Sequence, residues 1–239
     1  MHITGFPEGS PIRPGLGLTD MSTGLLAHGA ILAALHSRTT TGRGQHISAS
    51  LFETQLALLT NIGTTWLNMG IEGKKWGAAH PSIVPYNTYQ TKEGMWLALG
   101  ANNDRQFVVL CERLGRPEVA KEESFKTNAG RVENREVMDG MVAGLIREKT
   151  VEEWLTVLEG SGLAHGPVNN IEGALTHQQA RSREMVQMVE CEEWDAGLLK
   201  VIGPPVKFSE TKAQVRRRAP LLGEHTEEIL RNIGKRCSN

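Results

Sequence analysis

Apolar positions fall in runs whose spacing changes along the chain. Leu25, Leu26, Ala27, Ala30, Ile31, Ala33, Ala34 and Leu35 form a dense run of helical length, which predicts a helix over about 20–36. Polar His46, Ser48 and Ser50 then alternate with apolar Ile47, Ala49 and Leu51, the period of a strand, over 45–51. Leu56, Leu59 and Ile62 share one face of a second predicted helix, about 52–69. Beyond a small, turn-rich stretch, two strands are predicted at 83–90 and 95–101, joined by the hairpin turn Thr91-Lys-Glu-Gly. Helices are predicted at about 103–114, stopped by Gly115-Arg-Pro, at 132–148, and at 151–159, entered through Thr150 and closed by Gly160-Ser-Gly. A short helix at 171–176, a helical stretch to Arg183, strands near 185–190 and 198–201 and a charged helix at 226–233 complete the pattern.

The first region is thus a helix, a strand and a helix with no sheet of its own. It reads as part of an α/β domain whose remaining strands come from elsewhere. The hairpin and the three helices after it form a plausible α+β unit of about a hundred residues. The whole chain has 239 residues, room for one large domain or two small ones.

Composition removes several classes of function. Hydrophobic residues make up 39% and charged residues 22%, a balance that suits a folded globular chain. The net charge of −1 gives no global attraction to nucleic acid or to a membrane surface. No apolar run approaches the roughly 20 residues of a bilayer span, and Met1-His-Ile-Thr-Gly-Phe-Pro-Glu is neither a signal nor a transit peptide. Cys111, Cys191 and Cys237 are scattered and odd in number, which fits a reducing compartment and argues against a disulfide framework or a zinc site.

Candidate chemistry centres on Asp20, placed where the loop Arg13-Pro-Gly-Leu-Gly-Leu-Thr becomes the first helix. A carboxylate at such a junction lies near backbone N–H groups that have no intrahelical partner. Those donors can hold it in place and can also steady a negative oxygen on something it attacks. On local pattern alone, a helix cap is the simpler role.

Four blocks, in order, change that balance: Arg13–Gly24 with Thr19-Asp20, Thr41-Gly-Arg-Gly-Gln-His-Ile-Ser-Ala-Ser-Leu, Gly160-Ser-Gly-Leu-Ala-His-Gly-Pro-Val-Asn-Asn-Ile, and Ala219-Pro-Leu-Leu-Gly-Glu-His-Thr-Glu-Glu-Ile-Leu. Together they resemble the class III CoA-transferases, the family of formyl-CoA and carnitine CoA-transferases and the related acyl-CoA racemases. Trp76-Gly-Ala-Ala-His-Pro-Ser-Ile-Val-Pro-Tyr86 is most similar to the mitochondrial branch that moves CoA between succinate and glutarate or hydroxymethylglutarate. The resemblance implies an α/β fold, here the C-terminal half of the family fold. It comprises part of a Rossmann-like large domain (about 1–70 and 176–239) and a small α+β domain (about 71–175). Family members are much longer, so an N-terminally truncated member is expected, together with an interlocked homodimer and a mitochondrial location.

By the same resemblance Asp20 is the nucleophile, forming an aspartyl-CoA thioester from an acyl-CoA substrate. CoA is then a substrate rather than a resident cofactor, and neither metal nor ATP is required. A cover against water is expected. The stretch matching the family's glycine-rich loop is Gly77-Ala78-Ala79-His80-Pro81-Ser82, which makes Ala78, Ala79 and His80 the substrate-binding candidates. His80 can hydrogen-bond a dicarboxylic acceptor; a loop histidine satisfied by backbone is the equally open alternative. Two other readings of the chain are a 2-methylacyl-CoA racemase of the same fold and a truncated, non-catalytic subunit.

Other features read as structural. Arg216-Arg-Arg lacks interleaved aromatic residues and reads as a solvated face. Lys74 and Lys75 read as exposed linker, and Gly15-Leu-Gly17 lacks the third glycine of a dinucleotide fingerprint. Gly42-Arg-Gly44 reads as a turn, and His28 and His36 lack partners at ligand spacing. Ser161 has no nucleophile-elbow context, and turn geometry accounts for His165 and Asn169 as well as function does.

Overall fold

In the computed structural model, which describes residues 1–194 and 196–236, the first apolar run becomes helix α1, Leu18–Thr41. It begins two residues before the predicted start. It ends at Gly42, whose φ of +68° suits a residue without Cβ and whose N–H closes on the Arg38 carbonyl at 2.9 Å. α1 is long and apolar enough, by length and composition, to cross a membrane. The expectation that no segment reaches that length is therefore corrected: small and hydroxyl residues interrupt the apolar run without lowering its average enough. None of the α1 residues is buried.

The strand predicted at 45–51 does not form; residues 42–50 are irregular, and no strand precedes Tyr86 among the described residues. An alternating segment with no neighbour has no ladder to join. Its last polar residue, Ser50, caps helix α2 (Leu51–Ala57) instead, accepting the Glu53 N–H at 3.2 Å and donating its hydroxyl to Glu53 Oε2 at 2.6 Å. The single helix predicted over 52–69 is in fact two. α3 runs Thr60–Met69, and between α2 and α3 the chain turns at Leu58–Thr60, where Thr60 has a φ of +46°.

The hairpin is present as β1 (Tyr86–Gln90) and β2 (Trp96–Gly100), antiparallel, with Tyr86 opposite Gly100 and Gln90 opposite Trp96. β1 starts after Pro85, not at Ile83, because proline has no N–H for the ladder; the Val84–Pro85 peptide is cis. Helix α4 (Asp104–Arg113) is capped by Asn103. The helix predicted at 132–148 is split at Asn134 into α5 (Asn128–Glu133) and α6 (Arg135–Ile146). α7 (Val151–Leu158) carries a complete capping box between Thr150 and Glu153.

A third strand, β3 (Ala164–Pro167), pairs antiparallel with β2, Leu97 opposite Pro167. The sequence expectation of a mere turn there is corrected. Ala-His-Gly-Pro is short and has no β-branched residue, and its proline is tolerated because β3 is an edge strand.

Leu97 and Leu99 of β2 pack with Phe107 and Leu110 of α4, Met138, Val142 and Ile146 of α6, and Trp154 and Leu158 of α7 in one fully buried core. The Trp154 indole donates to the Ile146 carbonyl at 2.8 Å. Arg131 of α5 is also fully buried. It donates to the carbonyls of Val84 (2.6 Å) and Phe125 (2.8 Å) and to Asp104 (2.9 Å), with its guanidinium 4.1 Å from the Phe107 ring centre.

Met1–Val168 form one compact unit and Asn169–Asn239 a second. In the second, α8 (Ile171–Thr176) is capped by Asn170, α9 spans Gln178–Ser182, and β4 (Val186–Glu190) pairs antiparallel with β5 (Leu198–Ile202). α10 covers Thr226–Arg236. Cys237 lies outside the described residues.

Candidate active site

Asp20 is the third residue of α1, in its first turn and three positions beyond the cap. Gly17 occupies the cap position, with no side-chain hydrogen bond. The Asp20 carboxylate folds back over it: a Cβ on Gly17 would lie 2.8 Å from Asp20 Oδ2 and would push the carboxylate aside. The Leu18 N–H bonds the Leu16 carbonyl at 2.8 Å and the Met21 N–H bonds Gly17 at 3.0 Å. The N–H groups of Thr19 and Asp20 find no backbone partner among the described residues. Asp20 is therefore an exposed carboxylate at the positive end of a 24-residue helix, beside two free donors.

Asp20 lines a cavity of about 1040 Å³. His2, Thr4, Arg13, Thr19, Gln55 and Glu72 supply other polar groups, while Leu56, Leu59, Ile62 and Trp66 give an apolar wall. Sequence patterning does not single out Gln55. Its bond to Thr19 joins residues 36 apart in sequence, and no local period reports such a contact.

Ala78, Ala79 and His80 do not line that cavity. Their loop is fastened from several sides. The Gly77 N–H bonds the Gly5 carbonyl at 2.9 Å, with Gly77 at a φ of +61° against Phe6. The His80 N–H bonds Tyr86 at 2.9 Å. Arg135 donates to the Pro81 carbonyl at 2.8 Å and lies over the Trp76 ring, and Asn128 donates to Ser82 at 2.8 Å. The His80 ring, half-buried and stacked on Tyr86, accepts the Ser82 N–H at Nδ1. In the neutral ring that leaves the proton on Nε2, a donor with no protein partner among the described residues.

Several other groups have structural partners. Burial pushes the Cys111 thiol up to about 11, which keeps it protonated and unreactive near neutrality. Burial, reinforced by Asp139, pushes the Tyr89 phenol far above its ordinary range; its hydroxyl donates to Asp139 at 2.6 Å. Ser161 accepts the Leu163 N–H, and His165 contacts the Leu163 carbonyl from β3. Lys75 donates to the Gly9 carbonyl. In the second unit Arg218 is held between Glu193 (2.6 Å) and Glu224 (2.8 Å).

Residues 1–226 match the family model described as CoA-transferase family III. An acyl-CoA transferase of Fusarium pseudograminearum is 48% identical over 234 residues, covering 98% of this chain and 51% of that protein. The succinyl-CoA:glutarate CoA-transferase of Homo sapiens is 40% identical over 233 residues, covering 98% of this chain and 52% of that protein. Among solved structures, a CAIB/BAIF family protein from Brucella suis matches with a TM-score of 0.80 and 31% identity, over 97% of this chain and 59% of that one. The chain spans about half the length of the curated relatives it matches.

Proposed function

The chain belongs to CoA-transferase family III, and we propose that it serves CoA transfer between short carboxylic acids, from succinyl-CoA to glutarate or a related dicarboxylic acid. Its mixed α/β fold is that of the family. The observation that carries the proposal is the Asp20 carboxylate: exposed, folded over Gly17, beside free N–H donors and on the wall of a largely apolar cavity.

A carboxylate is a weak nucleophile in water, but one held beside a thioester carbonyl gains by proximity. An Asp20 oxygen attacks the acyl carbonyl of the donor; the C–S bond breaks and CoA leaves as thiolate, giving a mixed anhydride. The thiolate then attacks the Asp20 carbonyl carbon, the anhydride C–O bond breaks, and the donor acid departs. Asp20 is left as a CoA thioester. The acceptor carboxylate attacks that carbonyl and expels the thiolate, which attacks the acceptor's own carbonyl. Acyl-CoA leaves and the aspartate is regenerated. The first-turn N–H groups of Thr19 and Asp20 suit the oxyanion of each addition.

In this reading His80, with Nε2 free to donate, recognises the acceptor carboxylate, and Ala78 and Ala79 keep its loop small. The division into a large domain (1–70 and 176–239) and a small one (71–175), homodimer assembly and a mitochondrial setting belong to the same proposal. Replacing Asp20 with alanine should abolish succinyl-CoA:glutarate transfer, while Asp20→Asn should regain it only as the amide deamidates. Turnover by Asp20→Ala would end the proposal.

A second reading, a non-catalytic subunit, draws on one observation: the apolar residues of α1–α3 are uncovered in this chain. A folded chain that binds no CoA would favour it.

A further inference from the structure

Gln55 is the fifth residue of α2, whose one buried residue is the neighbouring Thr54. The Thr19 hydroxyl donates to Gln55 Oε1 at 2.5 Å, tying α2 to the first turn of α1. A glutamine amide has one acceptor oxygen and two N–H donors. Here the oxygen is taken, and Nε2 has no protein partner among the described residues. Thr19, Asp20 and Gln55 all line the same cavity. The cavity wall therefore carries a carboxylate and, tied to the residue beside it, an amide turned so that its donors are free.

We propose that Gln55 is a substrate-contacting residue: its Nε2 donates to the acyl or carboxylate oxygen of the acid that reacts at Asp20. Thr19 is the positioning residue that fixes the amide's orientation. This rests on the transfer reading above. The chemical need is specific. Attack by Asp20 turns a carbonyl oxygen into an oxyanion, and a carboxylate acceptor brings a full negative charge to the Asp20 thioester. Both species gain from a neutral donor. An N–H of Gln55 supplies one without the ion pair that a lysine or arginine would form with Asp20. Gln55 also differs from the Thr19 hydroxyl in capacity, since the one hydroxyl proton is already engaged.

The bland alternative is that the Thr19–Gln55 bond only tethers two helices. Gln55→Glu keeps the tether, because a carboxylate of the same shape still accepts from Thr19, but it has no N–H and adds a charge that repels the substrate. Neutral Gln55→Met, which also lacks the N–H, is measured beside it so that the loss is not assigned to charge alone. The experiment uses the full chain and two readouts. In the first, the Gln55 side-chain NH2 resonances, assigned by their loss in Gln55→Glu, are followed while glutarate is titrated in. The expected result is a saturable shift of both resonances, with glutarate affinity lowered at least tenfold in Gln55→Glu at an unchanged melting temperature. In the second, Asp20 acylation by succinyl-CoA is timed in a single turnover. Gln55→Glu should slow it roughly a hundredfold, the scale of losing one oxyanion donor. Thr19→Val should slow it less, and Thr19→Ser should restore it.

Unshifted Gln55 resonances while other resonances report glutarate binding would overturn the proposal. So would wild-type affinity and acylation rate in Gln55→Glu, which leaves only a tether. If the wild-type chain binds glutarate but is never acylated, the transfer reading fails by itself, and the amide shift still decides for or against Gln55.

Discussion

Two regions of the first unit are built from similarly apolar sequence and end in opposite states. From Val84 to Leu163 the side chains of two strands and four helices close on one another, and Phe107, Leu110, Met138, Val142, Ile146 and Leu158 are sealed from solvent. In residues 1–83 Thr54 alone is buried, and Leu25, Phe52 and Leu67 are more than 70% exposed. The candidate nucleophile lies in the second kind of region. Hydrophobic density alone thus does not make a core; what makes one is a partner for every face. The hairpin offers its inner face to α4, α6 and α7, whereas α1, apolar around most of its girth, meets little besides α2 in this chain. A helix of that composition is written for burial on more than one side.

This contrast can be tested by mutation. Replacing buried Arg131 with alanine should cost about 1–3 kcal/mol for each of the Val84 and Phe125 carbonyls left without a donor, with little added by the more exposed Asp104; urea melts measure it. Leu110→Ala in the same core should cost about 2–5 kcal/mol, while Leu25→Ala on α1 should stay within about 0.5 kcal/mol. Equal losses would erase the distinction between the regions. Gly17→Ala should act on chemistry rather than stability: its methyl displaces the Asp20 carboxylate and should slow succinyl-CoA acylation about a hundredfold, as quench-flow mass spectrometry would show.

Smaller effects sharpen the picture of the packed region. Thr150→Ala removes the cap of α7 and should lower stability by about 1 kcal/mol. The Cys111 thiol contributes a pH dependence of known sign. Its folded pKa, about 11, stands above the ordinary value of 9.0, so the native state holds its proton more tightly. Its contribution is complete below pH 9 and is lost as pH rises toward 11. Comparing urea midpoints of wild type and Cys111→Ala across that window should show a shallower decline in the variant.

Legibility in the sequence followed the same division. The hairpin at 86–100, α4 and α7 could be read because alternation, caps and glycine stops all agreed with the packing they later met. The failures arose where local pattern met no partner or a distant one. Residues 45–51 alternate like a strand but have no neighbour to pair with. β3 carries almost no strand signal and exists because β2 has a free edge. The two breaks, at Thr60 and Asn134, lie inside continuous apolar periodicity. At the candidate site Asp20 stood out from its position at a loop-to-helix junction and from the resemblance. Gln55 did not, since only the folded approach of α2 to α1 brings it to Thr19.

The proposed mechanism stands on Asp20 as the site of the covalent intermediate. The most direct test is to incubate the chain with succinyl-CoA, quench it in acid, digest it and weigh the peptide that contains Asp20. The expected result is a mass gain confined to that peptide, converted by hydroxylamine to the aspartyl hydroxamate and absent from Asp20→Ala. An unmodified peptide from a chain that binds succinyl-CoA, or a gain on any other residue, would contradict it.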